Sequence, residues 1–572
     1  MNINPLTKSQ ESRAAIERIY IAMRHLFIRG YYKPFGISGE AIRNALLTLS
    51  PEIYGSVADP RKVELEGLMY VIDRLPKGIE ECSIIRLVSE EGYNNSGFER
   101  IVPAARKRNC FRVDKEQMFI EITRGRSEVY DLLTHLTFLY LEAEKIKQNA
   151  RTEKGELIRD WKKLEEIVQS EESLDSHQKE IAFTYLSTIL GRTFEEVKYA
   201  YDRFAAKPDK NNNLFHVIYW MGKVAMEEET MKKDRAISFS PILRERIGHH
   251  IYGERWAKRI KQTLYDAGLI HRPLHIISAN LHSVMNSLYA FSAIEPIHTQ
   301  GKSLEQIAIE LSKPENASWM EKIEQYAIQH GMIYLKENSG THISTQIFDT
   351  SKIDFSKLPS EISYDAEYIK KEQPVIFVMD YAFGEQAYET MDELLKPFLL
   401  EDEEKIKLNV HSINIMGKAG ILYGGKGDLM IPTSHIFEGT ADNYPFDNAL
   451  TKETFEGYGL NVYEGPMISV LGTSLQNKDV LTFFKNTSWN AIGLEMEGAH
   501  YQKAIQAASR IRNNIRKDVV LRYAYYASDN PLITGSTLAS GSLGLIGVKP
   551  TYLITQKILE GIFNKNSGTS KS

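Results

Sequence analysis

Three carboxylic side chains near the C-terminal end stand where chemistry on a bound ligand is most readily built. The strand-like run Ala491-Ile492-Gly493-Leu494 delivers Glu495-Met496-Glu497-Gly498-Ala499-His500 onto the start of a helix. A second apolar run, 519–526, stops at Ala527-Ser528-Asp529-Asn530-Pro531. Ligands settle outside the carboxyl edge of α/β sheets. A carboxyl in a dry pocket has a raised pKa and serves best as a proton donor, and Tyr523, Tyr525 and Tyr526 would supply an apolar wall for one. The same residues also suit structural work. Glu495 can pair with a helix dipole, and Asp529 can cap a turn opened by Asn530-Pro531.

The elements that must position these groups lie after Pro273. Short apolar runs bounded by Gly, Asn and Ser alternate there with helical stretches, which predicts a parallel or mixed sheet covered on both faces. Candidate strands are Leu274-His275-Ile276-Ile277-Ser278-Ala279-Asn280, then Val375-Ile376-Phe377-Val378-Met379-Asp380 running to Gly384, then Ile413-Asn414-Ile415-Met416 before Gly417-Lys418-Ala419-Gly420. Gly427-Asp428-Leu429-Met430-Ile431-Pro432 and Glu438-Gly439-Thr440 follow. Residues 533–547, dense in Gly, Ser and Thr, suit either a loop folded over a ligand or a plain helix entry.

The front of the chain reads differently. Ile16, Ile19, Tyr20, Met23, Leu26 and Phe27 recur at helical spacing between residues 7 and 30, with Gly30 where a helix would stop. Further helices are predicted at 39–49, 60–72 and 128–146, the last mostly buried, with His135 as a packed core histidine. Arg124-Gly125-Arg126 before it is a solvated turn or an anion site at a helix N-terminus. The polar stretch 147–156 suggests a junction, 157–206 is helical, and 240–268 reads as one or two helices. His249-His250 point to different sides of a helix and are assigned no metal. The expected division is a helical domain 1–150, a second helical segment 151–269, an α/β domain 270–565 and a disordered tail 566–572.

With 572 residues, two to four domains are expected. An apolar fraction of 42% and a charged fraction of 25% are ordinary for a globular protein. A net charge of −5 gives no ground for a nucleic-acid or anionic-membrane partner. The two cysteines, Cys82 and Cys110, exclude a disulfide framework and read as buried thiols in a reducing compartment. Without a signal-peptide pattern or a long apolar run, a cytoplasmic location with no membrane partner is expected.

Taken in order, these segments resemble the nucleoside phosphorylase and nucleosidase superfamily over residues 270–565. Its members carry an E-M-E-G/A-A segment, a later strand ending in Ser-Asp, a strand followed by a G-x-x-G turn, a G-D-hydrophobic strand and an acid-Gly-Thr loop. The resemblance implies a three-layer α/β/α domain with a mixed central sheet, here preceded by a large mostly helical region. It also implies cleavage of a purine N-glycosidic bond without metal or redox cofactor. By position, Asp529 would give a hydrogen bond or proton to purine N7, Glu497 would hold the ribose hydroxyls and Met496 would lie against the sugar. Glu495, Ser528, Gly417, Lys418, Gly420, His282 and Gly384 complete the implied substrate-binding set.

The departures bear on the reaction type. Phosphate-using relatives hold the anion with an Arg after the first strand and another two residues before the G-x-x-G turn. This chain has Leu281-His282-Ser283 and Ile415 there. An unpaired dianion would carry a desolvation cost of several kcal/mol, so water is the simpler acceptor. The AMP nucleosidase branch is similar in its extra N-terminal domain and in its S-D-x-P-L segment, matched by Ser528-Asp529-Asn530-Pro531-Leu532. Its G-x-G loop is represented only by Tyr381-Ala382-Phe383-Gly384, with Asp380 where Gly is usual, and the basic residues beyond S-D-x-P-L are missing. Lys418, His282 and the Arg-rich front half are candidate substitutes for binding a 5′-phosphate. Glu385, His282 and Asp380 are candidates for activating water. The expected function is a nucleosidase-like hydrolase acting on a purine nucleoside or nucleotide, AMP first among them. A phosphate-dependent phosphorylase and a non-catalytic nucleotide-binding regulatory protein are the alternatives. The resemblance also implies a homo-oligomer.

Overall fold

The first helix shows how closely local rules are followed. Lys8–Arg29 starts at Thr7, whose hydroxyl accepts from Gln10 N while the Gln10 side chain accepts from Thr7 N at 2.8 Å, a reciprocal cap. It stops at Gly30, in the left-handed region at φ 74°. Ile16, Ile19, Met23, Leu26 and Phe27 are buried along one stripe. The computed structural model describes residues 6–106, 108–170, 174–205, 213–231, 234–400, 403–534 and 543–565. The tail expected at 566–572 and the middle of the Gly/Ser/Thr-rich stretch lie outside the described residues.

The chain forms two units, Met1–His249 with Leu471–Leu481, and His250–Val470 with Thr482–Ser572. In the first, helices include Ile37–Leu49, Leu65–Ile72, Gly125–Asn149, Arg159–Gln169, Ser176–Leu190 and Leu214–Met231. A six-stranded sheet accompanies them: β1 (Tyr31–Tyr32), β2 (Ile84–Val88), β3 (Glu99–Ile101), β4 (Cys110–Arg112), β5 (Gln117–Glu121) and β6 (Ala236–Phe239), in the order β1-β6-β2-β5-β4-β3. The helical patterns of this region predict no strand. Each is five residues or shorter, and β2 lies between β5 and the distant β6, a pairing that leaves no local period to read. The stretch read as a junction runs inside this unit. Trp161 and Ile146 pack together against Gly222, so residues on both sides of 147–156 share one core.

Helix Gly125–Asn149 carries a buried ionic cluster. Asp131 meets Arg106 at 3.2 Å and Arg108 at 3.5 Å, and Glu128 meets Arg124 at 3.0 Å and Arg108 at 3.4 Å. His135 is fully buried, with Nδ1 at 3.2 Å from the Tyr54 hydroxyl. Arg124 is thereby committed to Glu128, and burial pushes the His135 imidazole down to about 4. Burial also opposes ionisation of the two carboxyls, but the surrounding cations win: Arg124 and Arg108 draw Glu128 down to about 2, and His135, then Arg106 and Arg108, hold Asp131 well below the carboxylate range. Carboxyls depressed in the folded state stabilise it above their unfolded pKa and lose that contribution as pH falls, so this unit is acid-labile. Removing one charge leaves its partners buried and unpaired. Asp131→Asn is expected to destabilise the first unit by about 3–5 kcal/mol, measured as a lower urea midpoint.

The second unit is built on a ten-stranded sheet. Its strands are β7 (Leu274–Ser278), β8 (Met332–Leu335), β9 (Thr345–Asp349), β10 (Val375–Met379), and, after a separate two-stranded ribbon of β11 (Phe398–Leu399) and β12 (Lys405–Ile406), β13 (Val410–Ile421), β14 (Leu429–Phe437), β15 (Asn443–Pro445), β16 (Val462–Ser469), β17 (Gly493–Glu495) and β18 (Val520–Asp529). The order is β15-β14-β16-β17-β13-β7-β10-β9-β8, and β18 pairs with both β13 and β14. Strands β13, β17, β16, β14 and β18 therefore close into a ring. Strands β10, β7, β13 and β18 run parallel, while β9 is antiparallel to β10 and β17 to β13.

This mixed sheet is covered on both faces, as expected. One core joins it to helices Ile251–Asp266, Gln386–Leu395 and Gly498–Gln506; the other joins it to Leu281–Ala293, Leu304–Leu311, Ala317–Gln329 and Val548–Phe563. The G-x-x-G turn expected at Gly417–Gly420 is instead part of the continuous strand β13, with a register shift between Ala419 and Gly420. A bulge re-aims side chains without ending a strand. No helix among the described residues is long and apolar enough to cross a membrane.

Candidate functional site

A cavity of about 790 Å³ opens where β7 and β10 end, alongside β13 and β18. Such a volume is that of a small-molecule site. Ser278 and Asn280 follow from β7, Tyr381 and Ala382 from β10, Ile415, Met416, Gly417 and Lys418 from β13, and Tyr525 and Tyr526 from β18. Glu495, Glu497 and Tyr501 close one side.

The two glutamates do different work. Glu495 ends β17 beside Ser469, its register partner at the end of parallel β16. Its carboxylate accepts from the Ser469 hydroxyl and from the backbone N–H groups of Glu497 and Gly498, while the Ser469 oxygen accepts from Ala499 N at 2.7 Å. Glu495 thus ties down the start of helix Gly498–Gln506. Gly498 has to be glycine, because a Cβ there would lie 2.7 Å from Glu495 Oε1 and collide with the buried His435 ring.

Glu497 is only partly buried and faces the cavity. Its Oε1 accepts from Gly384 N at 2.9 Å and its Oε2 from Met496 N at 3.3 Å. Gly384 sits at φ 56°, a conformation that favours glycine, so the loop after β10 can aim its N–H at this carboxylate. Burial raises the Glu495 carboxyl to about 7 against its three donors. Burial and then the neighbouring Glu495 charge raise Glu497 to about 8. Both carboxyls of the pair are thus pushed upward, by burial and, for Glu497, by the charge beside it.

Asp529 ends β18 opposite Gly420. Its carboxyl is buried; Oδ1 accepts from the Ser528 hydroxyl at 2.6 Å and Oδ2 has no hydrogen-bond partner. Burial raises its pKa, opposed by Ser528, Lys426 and Lys418. A buried polar oxygen is rarely left unpaired. Neither Asp529 nor Ser528 is among the residues lining the cavity, whereas Lys418, close by on β13, is.

The remaining expected residues divide in the same way. His282 lines the cavity from helix Leu281–Ala293, as does Gly417 beneath the Tyr381 ring. Met496, Gly420 and Gly384 stand behind the wall, Gly420 facing Leu494. Of the three tyrosines read as a wall, Tyr525 and Tyr526 line it, and Tyr523 turns away to donate to Gln502 at 3.0 Å. Asp380 accepts from Tyr381 N at 2.8 Å, and Glu385 precedes helix Gln386–Leu395. Ile415, the position compared with an arginine, lies on the wall itself.

The sequence reading missed Tyr501, Asn286, Tyr552 and Ser469. Tyr501 was findable, since it follows Glu497 by four residues on one helix face. The others carry no local signal. Among the described residues, one group of three side chains is spaced to hold a metal: Glu80, Glu81 and His216, in the first unit, where Arg112 already pairs with Glu81 at 2.7 Å.

About half the chain is similar in structure to enzymes of nucleoside chemistry. The 5′-methylthioadenosine/S-adenosyl homocysteine nucleosidase of Campylobacter jejuni matches 50% of this chain and 97% of its own at 11% identity, with a TM-score of 0.28. Futalosine hydrolase of Helicobacter pylori matches 51% and 98% at 12% identity and a TM-score of 0.27. The purine nucleoside phosphorylase of Toxoplasma gondii matches 51% and 92%, again at 12% identity and 0.27. No curated protein matches in sequence. One protein family does match, over residues 40–296 and 309–564 and so across both units, and the chain belongs to it: the family of unknown function DUF6909.

Proposed function

We propose that this protein hydrolyses the N-glycosidic bond of a purine nucleoside or nucleotide. The observation that carries the reading is the placement of Glu497, at the head of a helix, held by Gly384 N and facing a tyrosine-walled cavity. A protonated carboxyl there donates to one ribose hydroxyl and accepts from its neighbour. Those contacts tighten as the ribosyl group gains positive character and Glu497 yields its proton share, a gain confined to the transition state. We assign the other half to Asp529, which stands behind the cavity wall with an unpaired Oδ2: its proton goes to the departing base, water adds its hydroxyl to C1′, and the water's remaining proton restores the Asp529 carboxyl. General acid help of this kind is worth about 10²–10⁴-fold.

Water as the acceptor is supported by the wall. Among the described lining residues there is no arginine, Ile415 is apolar, and Lys418 is the one lysine, exposed to solvent. That is a poor cradle for inorganic phosphate. AMP is the nucleotide that the Ser528-Asp529-Asn530-Pro531-Leu532 segment suggests.

The test is release of free base from adenosine, inosine and AMP, with and without phosphate. Release independent of phosphate supports hydrolysis. Release only with phosphate makes the protein a phosphorylase, and tight binding without release leaves a nucleotide-binding protein.

A further inference from the structure

The cavity extends beyond the part its carboxyl groups serve. Glu497 and Tyr501 belong to the helix start on one face of the sheet, whereas the far end is walled by Asn286, Leu311, Met320, Leu543, Val548 and Tyr552, from elements packed on the opposite face. None of those six is charged. The titratable side chains of the Asn286 helix are His282, one turn toward the strand end, and Tyr289, whose hydroxyl donates to His330 O at 3.1 Å.

Asn286 is 1% exposed and lines this end. Its Nδ2 donates to the Tyr552 hydroxyl at 2.8 Å and approaches Met320 Sδ at 3.6 Å, so the amide is held in one orientation. Its Oδ1 is buried and has no hydrogen-bond partner. Buried amide oxygens are rarely left unpaired, and an acceptor kept dry in a cavity wall selects a ligand that brings a donor. Tyr552 accepts from Asn286 and so retains its own O–H proton to give. A phosphate, which presents oxygens and negative charge, would meet Oδ1 acceptor to acceptor in an apolar chamber.

We propose that this end of the cavity binds an uncharged ligand group bearing an O–H or N–H, which donates to Asn286 Oδ1 and accepts from the Tyr552 hydroxyl. The assignment rests on the nucleosidase reading in two respects, that Glu497 holds the ribose and that the base lies toward Asp529; the opposite end, at Asn286, is then assigned to the C5′ substituent. The preferred substrate is a nucleoside with a neutral, hydrogen-bonding 5′ extension, and AMP is disfavoured.

Three adenosine probes decide it with the full-length protein: 5′-O-(2-hydroxyethyl)adenosine, its isostere 5′-O-propyladenosine, and AMP. Affinity is measured by calorimetry and adenine release is followed separately. The hydroxyethyl probe is expected to bind about 10- to 100-fold more tightly than the propyl probe, with AMP weakest. Asn286→Leu is expected to erase that difference by weakening the hydroxyethyl probe alone. Equal binding of the two isosteres by the wild-type protein, or tighter binding of AMP than of either, overturns the proposal even where Asn286→Leu fails to fold. The expected ranking without adenine release sinks the nucleosidase reading alone, adenine release without the ranking sinks the Asn286 assignment alone, and no binding by any probe sinks both.

Discussion

Asp529→Asn is expected to cut the release of free base by about 10²–10⁴-fold while leaving the second unit folded. The amide keeps the shape of the carboxyl and can still accept from the Ser528 hydroxyl, which lies 2.6 Å from Oδ1. What it removes is a transferable proton. Because burial already raises the Asp529 pKa, a neutral group there relieves the desolvation of a carboxylate, and the melting temperature of the variant should equal or exceed that of the wild type. Steady-state kinetics on adenosine, read beside thermal melting, check both halves. Unchanged turnover would take Asp529 out of the chemistry, consistent with its place behind the cavity wall. Lost turnover with a lowered melting temperature would make it a structural cap.

Glu497→Gln is expected to stabilise the second unit at alkaline pH and to slow the enzyme by roughly a hundredfold. The sign follows from linkage. Glu495 and Glu497 titrate at about 7 and about 8 in the folded chain, above the value of about 4.3 for an unperturbed Glu. The folded state therefore holds protons that the unfolded state has released, and stability is greatest below pH 4 to 5 and falls as pH rises through 7 and 8. Removing one of the two titrations should therefore raise the stability at pH 8.5 relative to that at pH 5 and flatten the curve between them. Melting across that range checks the stability. The rate falls because the introduced amide can still hydrogen-bond a ribose hydroxyl but cannot yield a proton share as charge develops. A variant more stable and less active is the signature of strain held at a working site; one no more stable than the wild type at pH 8.5 would show that the Glu497 carboxyl is not raised.

The first and second units also respond oppositely to pH. Asp131 is depressed by His135 and two arginines and Glu128 by arginines, whereas Glu495, Glu497 and Asp529 are raised by burial with few cations near them. Acid should loosen the first unit and alkali the second, and the two transitions are separable by melting at pH 3.5 and pH 8.5.

By itself the sequence determined what local chemistry dictates. The Gly30 stop and the apolar stripe before it are visible in one helix's spacing, and strands β7, β10, β13 and β18 are visible as apolar runs because strands buried on both faces have no polar period to hide them. The meeting of Glu495 and Glu497 at a strand end was equally legible, since two residues of one segment cannot be far apart. The tertiary structure decided everything that joins distant segments. The sheet of the first unit needs β6 to pair with β2, the segment Leu471–Leu481 leaves its neighbours in sequence for the first unit, and Gly384 reaches Glu497 only through the crossover from β10. Asn286 and Tyr552 meet across two helices, and Asp529 falls just behind the wall that Glu497 faces. Such contacts carry no period, cap or turn in either partner, because their free energy comes from burial shared between segments that become neighbours only when the sheet closes.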